Sequence, residues 1–175
     1  MGATYLARGV ERLNALTSED VKEQLLSCCG SANWAERMAE ERPFVSQEEL
    51  LTCAEKIWWS LKQADWLEAF RSHPKIGEQK AAENVSTASQ KWSQQEQSSL
   101  SDAAADTRRE LAHLNQEYEQ KFGYIYIVCA AGKSPEEMLS ILKQRMDNAP
   151  AEELRVAAAE QAKITDLRLK KLMEQ

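Results

Sequence analysis

The chain has 175 residues, with 22 Lys and Arg against 28 Asp and Glu, and a net charge of −6 with its two histidines neutral. Acidic and basic residues interleave, which argues against a nucleic-acid or membrane-surface partner, since either would show as a basic stripe. Hydrophobic residues at 43% and charged ones at 29% suit a folded domain with a sizeable core, and no run approaches a membrane span or has a signal-peptide layout.

In chain order, Leu6, Val10, Leu13 and Leu16 recur at helical spacing and predict a short amphipathic helix from Tyr5 to Leu16. Thr17-Ser18-Glu19-Asp20 reads as a new N-cap with acids in the first turn, opening a helix through Leu25 and Leu26 that Gly30 is placed to end. Ser31 caps a third helix carrying Trp34 and Met38, closed by Arg42-Pro43. Ser46-Gln47-Glu48-Glu49 has the capping-box form before a wide apolar stripe of Leu50, Leu51, Ala54, Ile57, Trp58 and Leu61. A short helix from Asp65 to Arg71 then leads to His73-Pro74, where proline disfavours helical backbone in the residue before it. Trp58, Trp59 and Trp66 read as core or interface residues.

From Lys75 to Lys91 periodicity dissolves into Gly, Ala, Ser, Gln and Lys, which predicts a surface loop. Ser93-Gln94-Gln95-Glu96 again has the capping-box form, and a long helix follows from Ala103 to Phe122, with Leu111, Leu114, Tyr118 and Phe122 on one face and Gly123 ending it. Tyr124–Ala130, YIYIVCA, breaks the helical grammar. It reads either as a buried extended segment or as the start of a buried helix. If it is extended, with no second strand candidate in the chain, its N–H groups need partners other than a ladder, and a polar ligand is one candidate. Ser134-Pro135-Glu136-Glu137 starts a helix that stops near Asn148, and Pro150 opens a last one to about Glu174, with Leu154, Ala158, Ile164, Leu167 and Leu172 inward. The expectation is one all-α domain over residues 1–175, a compact bundle of about eight helices with one extended apolar segment.

Cys28, Cys29, Cys53 and Cys129 form no CxxC and have no histidine at ligand spacing. They read as buried small hydrophobes in a reducing compartment, with no metal site. His73, at a helix end, reads equally as structural or as a proton carrier near neutrality, whereas His113, mid-helix, reads as structural or exposed. On pattern alone Glu96 is a helix-capping residue, and Arg168 in LRLKK is a cation favoured near a helix C-terminus.

Taken together, SHPKIGE around His73, the SxxEQ of Ser93–Gln97, and KFGYIYIVCAAGKS followed by KITDLRLKKL resemble the OHCU decarboxylases. The likeness runs from about Leu25 to the end and includes RPF at 42–44 and the DWLEAF before the histidine. It implies an all-helical, cofactor-free and metal-free enzyme, a homodimer, converting 2-oxo-4-hydroxy-4-carboxy-5-ureidoimidazoline (OHCU) to (S)-allantoin in urate degradation. On it the catalytic histidine falls on His73 with Pro74 beside it. The catalytic glutamate falls on Glu96, with Ser93 and Gln97 in the same substrate-binding turn. The substrate-contacting run falls on Tyr126, Ile127, Val128, Cys129 and Ala130, and the arginine on Arg168. In some organisms the domain is fused to another enzyme of the pathway. The C-terminal LMEQ is not a peroxisomal SKL-type address, so the cytoplasm is the default expectation, with the peroxisome the alternative for a eukaryotic fragment. The competing reading is a helical interaction module, in which His73 and Glu96 only cap helices.

Overall fold

The computed structural model describes residues 2–76, 87–96 and 105–175, the side chains of residues 2–7 excepted. Among the described residues there are nine α-helices and no strand: α1 (Gly2–Ala15), α2 (Ser18–Cys28), α3 (Ala32–Glu40), α4 (Gln47–Ser60), α5 (Gln63–Arg71), α6 (Thr87–Glu96), α7 (Ala105–Phe122), α8 (Pro135–Arg145) and α9 (Pro150–Met173). The all-α expectation agrees with this. The count exceeds eight because residues 87–91, read as loop, belong to α6. Contacts gather into two compact units, residues 1–69 with 162–175, and residues 70–161.

In the first unit the helix starts fall where small polar residues stand. The side-chain oxygens of Thr17, Ser31 and Ser46 accept from the N–H groups of Asp20, Trp34 and Glu49. Each such cap is worth about 1 kcal/mol. The Arg42 guanidinium donates to the carbonyls of Leu13 (3.2 Å) and Leu16 (2.8 Å), satisfying groups the end of α1 leaves open. Asn14 exchanges two hydrogen bonds with the backbone of Phe44, at 2.7 and 2.9 Å. Thus RPF at 42–44 has a structural task. So does DWLEAF: Asp65 accepts from the Lys62 N–H, Glu68 from the Ala32 N–H, and the Trp66 indole donates to the Trp58 carbonyl. Trp66 also lies 5.9 Å from Trp58 and 5.7 Å from Trp59, ring centre to ring centre. Gly9 is required by contact. A Cβ there would fall 2.2 Å from the Met173 carbonyl oxygen. Leu13, Leu25, Trp34, Met38 and Leu50 form the buried interior.

The second unit is built around Leu111, Tyr118, Tyr126, Val128, Met138 and Leu142, all buried, with Ile76 against them. Gly123, at φ +82°, ends α7 in a backbone conformation that side chains disfavour. Ser134 and Glu137 form a complete capping box at the start of α8. Beneath the aromatic rings lies a buried charged pair. Glu153 accepts from Arg145 Nε at 2.7 Å, from Asn148 Nδ2 at 2.7 Å, and from the Tyr118 hydroxyl. Arg145 also donates to the Ile127 carbonyl at 2.7 Å and lies over the Tyr126 ring. Burial, reinforced by the Glu153 hydrogen bond, pushes the Tyr118 phenol far above its ordinary range. That hydroxyl is therefore a donor at any physiological pH.

Two expectations about α6 fail. Ser93 does not cap a helix start; it lies within α6 (Thr87–Glu96), six residues after its first. The SxxE spacing is shared by a cap and by one turn of a helix interior, and the pattern cannot separate them. Of the expected loop, Gly77–Ser86 lies outside the described residues, as do Gln97 and residues 103–104 at the expected start of the long helix.

Cys28, Cys29 and Cys129 are buried and Cys53 is half-buried. Burial pushes the Cys29 thiol up to about 12. At neutral pH a disulfide thiol reagent is expected to titrate no more than one thiol in the native protein, Cys53, and all four after denaturation; rapid native titration of three or four contradicts the packing. Arg145→Met leaves the Glu153 carboxylate buried without its cation. It is expected to cost about 3–5 kcal/mol, seen as a lowered urea midpoint at unchanged slope.

Candidate active site

Helix α5 ends at Arg71, and the His73 N–H closes the turn on the Phe70 carbonyl at 3.2 Å. Pro74 then blocks any return to helix. His73 is half-buried, and its Nε2 lies 2.7 Å from Oε1 of Gln161, a fully buried residue of α9. Two contacts anchor the chain beyond the proline. Lys75 pairs with Glu119 at 2.7 Å, and Asn115 Nδ2 donates to the Ile76 carbonyl at 3.4 Å.

Residues 125–130 have neither helix nor strand pairing, and Tyr126 to Ala130 are all buried. Of the two sequence readings, the extended one is the one adopted. Side chains take the place of a neighbouring strand. The Tyr126 N–H donates to Asn115 Oδ1 (3.3 Å) and the Cys129 N–H to Glu160 Oε2 (2.8 Å). On the acceptor side, the Ile127 carbonyl takes Arg145 and the Cys129 carbonyl takes Lys133 Nζ at 2.7 Å. The Tyr126 hydroxyl donates to the Met138 carbonyl at 3.1 Å. Asn115 therefore ties the strand-like run to the turn after His73 with one side chain.

Glu96 lies near this run. Burial raises the Cys129 thiol pKa, and the Glu160 and Glu96 carboxylates raise it further against the opposing pull of the Ala131 backbone and Lys133. The second unit thus holds His73, Pro74, Ser93, Glu96 and Tyr126–Ala130, with Ser93 buried and Pro74 half-buried. Arg168 belongs to the first unit. It is 1% exposed and donates to the Ser27 carbonyl at 3.4 Å, so it is not the surface cation that its place near a helix end suggested. His113 is exposed beside Glu117.

Sequence reasoning missed Asn115, Glu160 and Gln161. Of the inner face it drew on α9, Ala158, Ile164 and Leu172 are buried, while Leu154 and Leu167 are only half-buried. The buried stripe also takes in Glu153, Ala157, Glu160, Gln161, Thr165 and Arg168. These residues recur at three- and four-residue steps, so a stripe of polar residues at helical spacing was the available signal. Among the described residues no group of three or more His, Cys, Asp or Glu is arranged to hold a metal ion, and no helix is long and apolar enough to cross a membrane.

Residues 14–170 match the family model of OHCU decarboxylase. The chain is 41% identical over 146 residues to the uric acid degradation bifunctional protein TTL of Arabidopsis thaliana, covering 83% of this chain but 45% of that one. It is 26% identical to a 2-oxo-4-hydroxy-4-carboxy-5-ureidoimidazoline decarboxylase of Haloferax volcanii, covering 91% and 93% of the two chains. The chain thus spans less than half of the bifunctional relative and nearly all of the single-function one. A crystal structure of an OHCU decarboxylase in the presence of (S)-allantoin superposes with a TM-score of 0.76 at 38% identity, covering 87% of this chain and 99% of that one. With the family model spanning both units, this chain belongs to the OHCU decarboxylase family.

Proposed function

We propose that the chain decarboxylates OHCU without a cofactor and protonates the product on one face to give (S)-allantoin, a step of urate catabolism. The observation that carries this is the placement of His73. It is a half-buried imidazole at a helix end, held by a buried amide, in the same unit as an extended segment whose backbone is pinned by side chains.

The substrate explains the economy of the site. Its carboxylate sits on the hydroxyl-bearing carbon, next to a carbon–nitrogen double bond. When the bond to carbon dioxide breaks, its electron pair forms a carbon–carbon double bond and the imine pair moves to nitrogen, which takes a proton. The resulting enol then loses its hydroxyl proton, becoming a carbonyl, while the neighbouring carbon gains one. Handedness is decided at that last transfer. A fixed imidazole suits both proton movements because its ordinary pKa lies near neutrality. In this reading His73 assists loss of the hydroxyl proton and delivers the proton to carbon.

Glu96 accepts from ureido or ring N–H groups, and Ser93, Gln97 and Pro74 line the substrate. Backbone N–H groups within Tyr126, Ile127, Val128, Cys129 and Ala130 hold ring oxygens. The hydrogen bonds described above engage the N–H groups of Tyr126 and Cys129, and those of Val128 and Ala130 have no partner among the described residues. Arg168 binds carboxylate or carbonyl oxygens through its planar fork, an assignment that rests on the LRL motif. One catalytic domain over residues 1–175, a homodimer and a cytoplasmic location complete the reading, the homodimer resting on the resemblance alone.

His73→Asn is expected to lower the rate by about 10²–10⁴-fold. Substrate made in place with urate oxidase and hydroxyisourate hydrolase should then yield racemic allantoin, followed by optical activity; wild-type turnover to the S product refutes the role. Against the interaction-module reading, (S)-allantoin is expected to raise the melting temperature of the wild-type protein, since only a ligand of the native state does so. An unshifted transition at saturating allantoin favours the module.

A further inference from the structure

Gln161 lies on the same turn of α9 as Glu160, and the two side chains grip the two parts of the proposed site. Glu160 accepts from the Cys129 N–H of the extended segment at 2.8 Å, and Gln161 Oε1 meets His73 Nε2 at 2.7 Å. Both residues are buried, Gln161 completely. A buried polar side chain in the stripe of a helix carries a desolvation cost unless its hydrogen bonds are made, so its partner is fixed and not incidental. An amide oxygen only accepts. The ring nitrogen facing it must therefore carry the proton, and the lone pair of the neutral imidazole is left on Nδ1.

We infer that Gln161 is a positioning residue for His73. It selects the Nε2–H tautomer and fixes the ring plane relative to the segment that Glu160 holds, through one rigid turn of α9. The choice of an amide has a further consequence. A carboxylate at this place would favour the imidazolium and raise the pKa at which the ring gives up its proton, whereas an amide fixes the ring without adding charge. This inference rests on the reading of His73 as the proton carrier, but its first test does not.

The chain has two histidines, His73 and the exposed His113, so nitrogen NMR of isotope-labelled histidine resolves each ring, His113→Gln providing the assignment. In the wild type, His73 is expected to titrate from the imidazolium to a single neutral form protonated on Nε2. Gln161→Leu is expected to give a mixture of neutral tautomers, a kcat lowered about 10-fold or more with KM little changed, and reduced enantiomeric purity of the allantoin. Gln161→Glu retains the acceptor and is expected to restore the Nε2–H tautomer while moving the His73 titration, and the limb of the kcat profile that follows it, to higher pH. An unchanged tautomer and titration in both variants, with far-ultraviolet circular dichroism confirming that they fold, overturns the inference whatever the activity. If the tautomer responds but His73→Asn keeps wild-type turnover, the positioning contact stands and the catalytic role of His73 falls.

Discussion

An extended stretch of buried backbone inside a helical protein has a difficulty that no helix has: its N–H and C=O groups point sideways, and no strand lies beside it among the described residues. Leaving a buried peptide group unpaired costs about 1–3 kcal/mol, so five buried residues in a row require an explicit solution. Here the solution comes from side chains. Asn115 on α7, Arg145 at the end of α8, Glu160 on α9 and Lys133 after the segment each reach one backbone group. Arg145 is itself a buried charge and needs support, and that need builds the network around Glu153, Tyr118 and Asn148. The polar interior of residues 70–161 is thus a consequence of the choice to run one segment extended.

That choice has a functional logic. A helix uses nearly all its N–H groups internally and can offer a ligand only its first turn. A strand in a sheet uses them on its neighbours. A segment held by a few side chains leaves intermediate positions open along its length. It can therefore present backbone donors to a small planar ligand while remaining immobile, and immobility is what makes such donors effective, because they need no reorganisation when charge develops. The packing of Tyr126, Val128 and Ala130 in one buried cluster with Tyr118, Met138 and Leu142 supplies the stiffness.

The helices were legible because their start signals are local. Thr17, Ser31, Ser46 and Ser134 each combine a short side-chain oxygen with a following apolar period, and each caps as expected. Ser93 carried the same letters and is in the interior of a turn, because spacing alone does not say on which side of the serine the helix lies. The extended segment was legible from its β-branched and aromatic content between Gly123 and Gly132, though not its partners. Those partners sit 11 and 31 residues away from the groups they bind, and no periodicity reaches that far. Motif order placed His73, Glu96 and the 126–130 run in one family pattern. It also swept in Arg42, Phe44, Asp65 and Glu68, whose contacts in the first unit are helix-end and turn contacts. A motif records which residues recur together and does not separate those that touch a ligand from those that hold a turn.

The inner face of α9 shows how the two kinds of information combine. Reading amphipathicity as leucines inward assumes that the interior is apolar, which holds where a helix packs only on other helices. Alongside an irregular segment the assumption inverts, because the backbone groups there need donors and acceptors that leucine lacks. Glu160 is in the stripe for that reason, Glu153 is there to hold Arg145 and Gln161 meets His73, while Leu154 and Leu167 lie at its margin. A non-helical apolar run in an all-α sequence is therefore a reason to search the helices for polar residues at three- and four-residue steps. Such a stripe is where the residues that hold the run, and any imidazole next to it, are to be found.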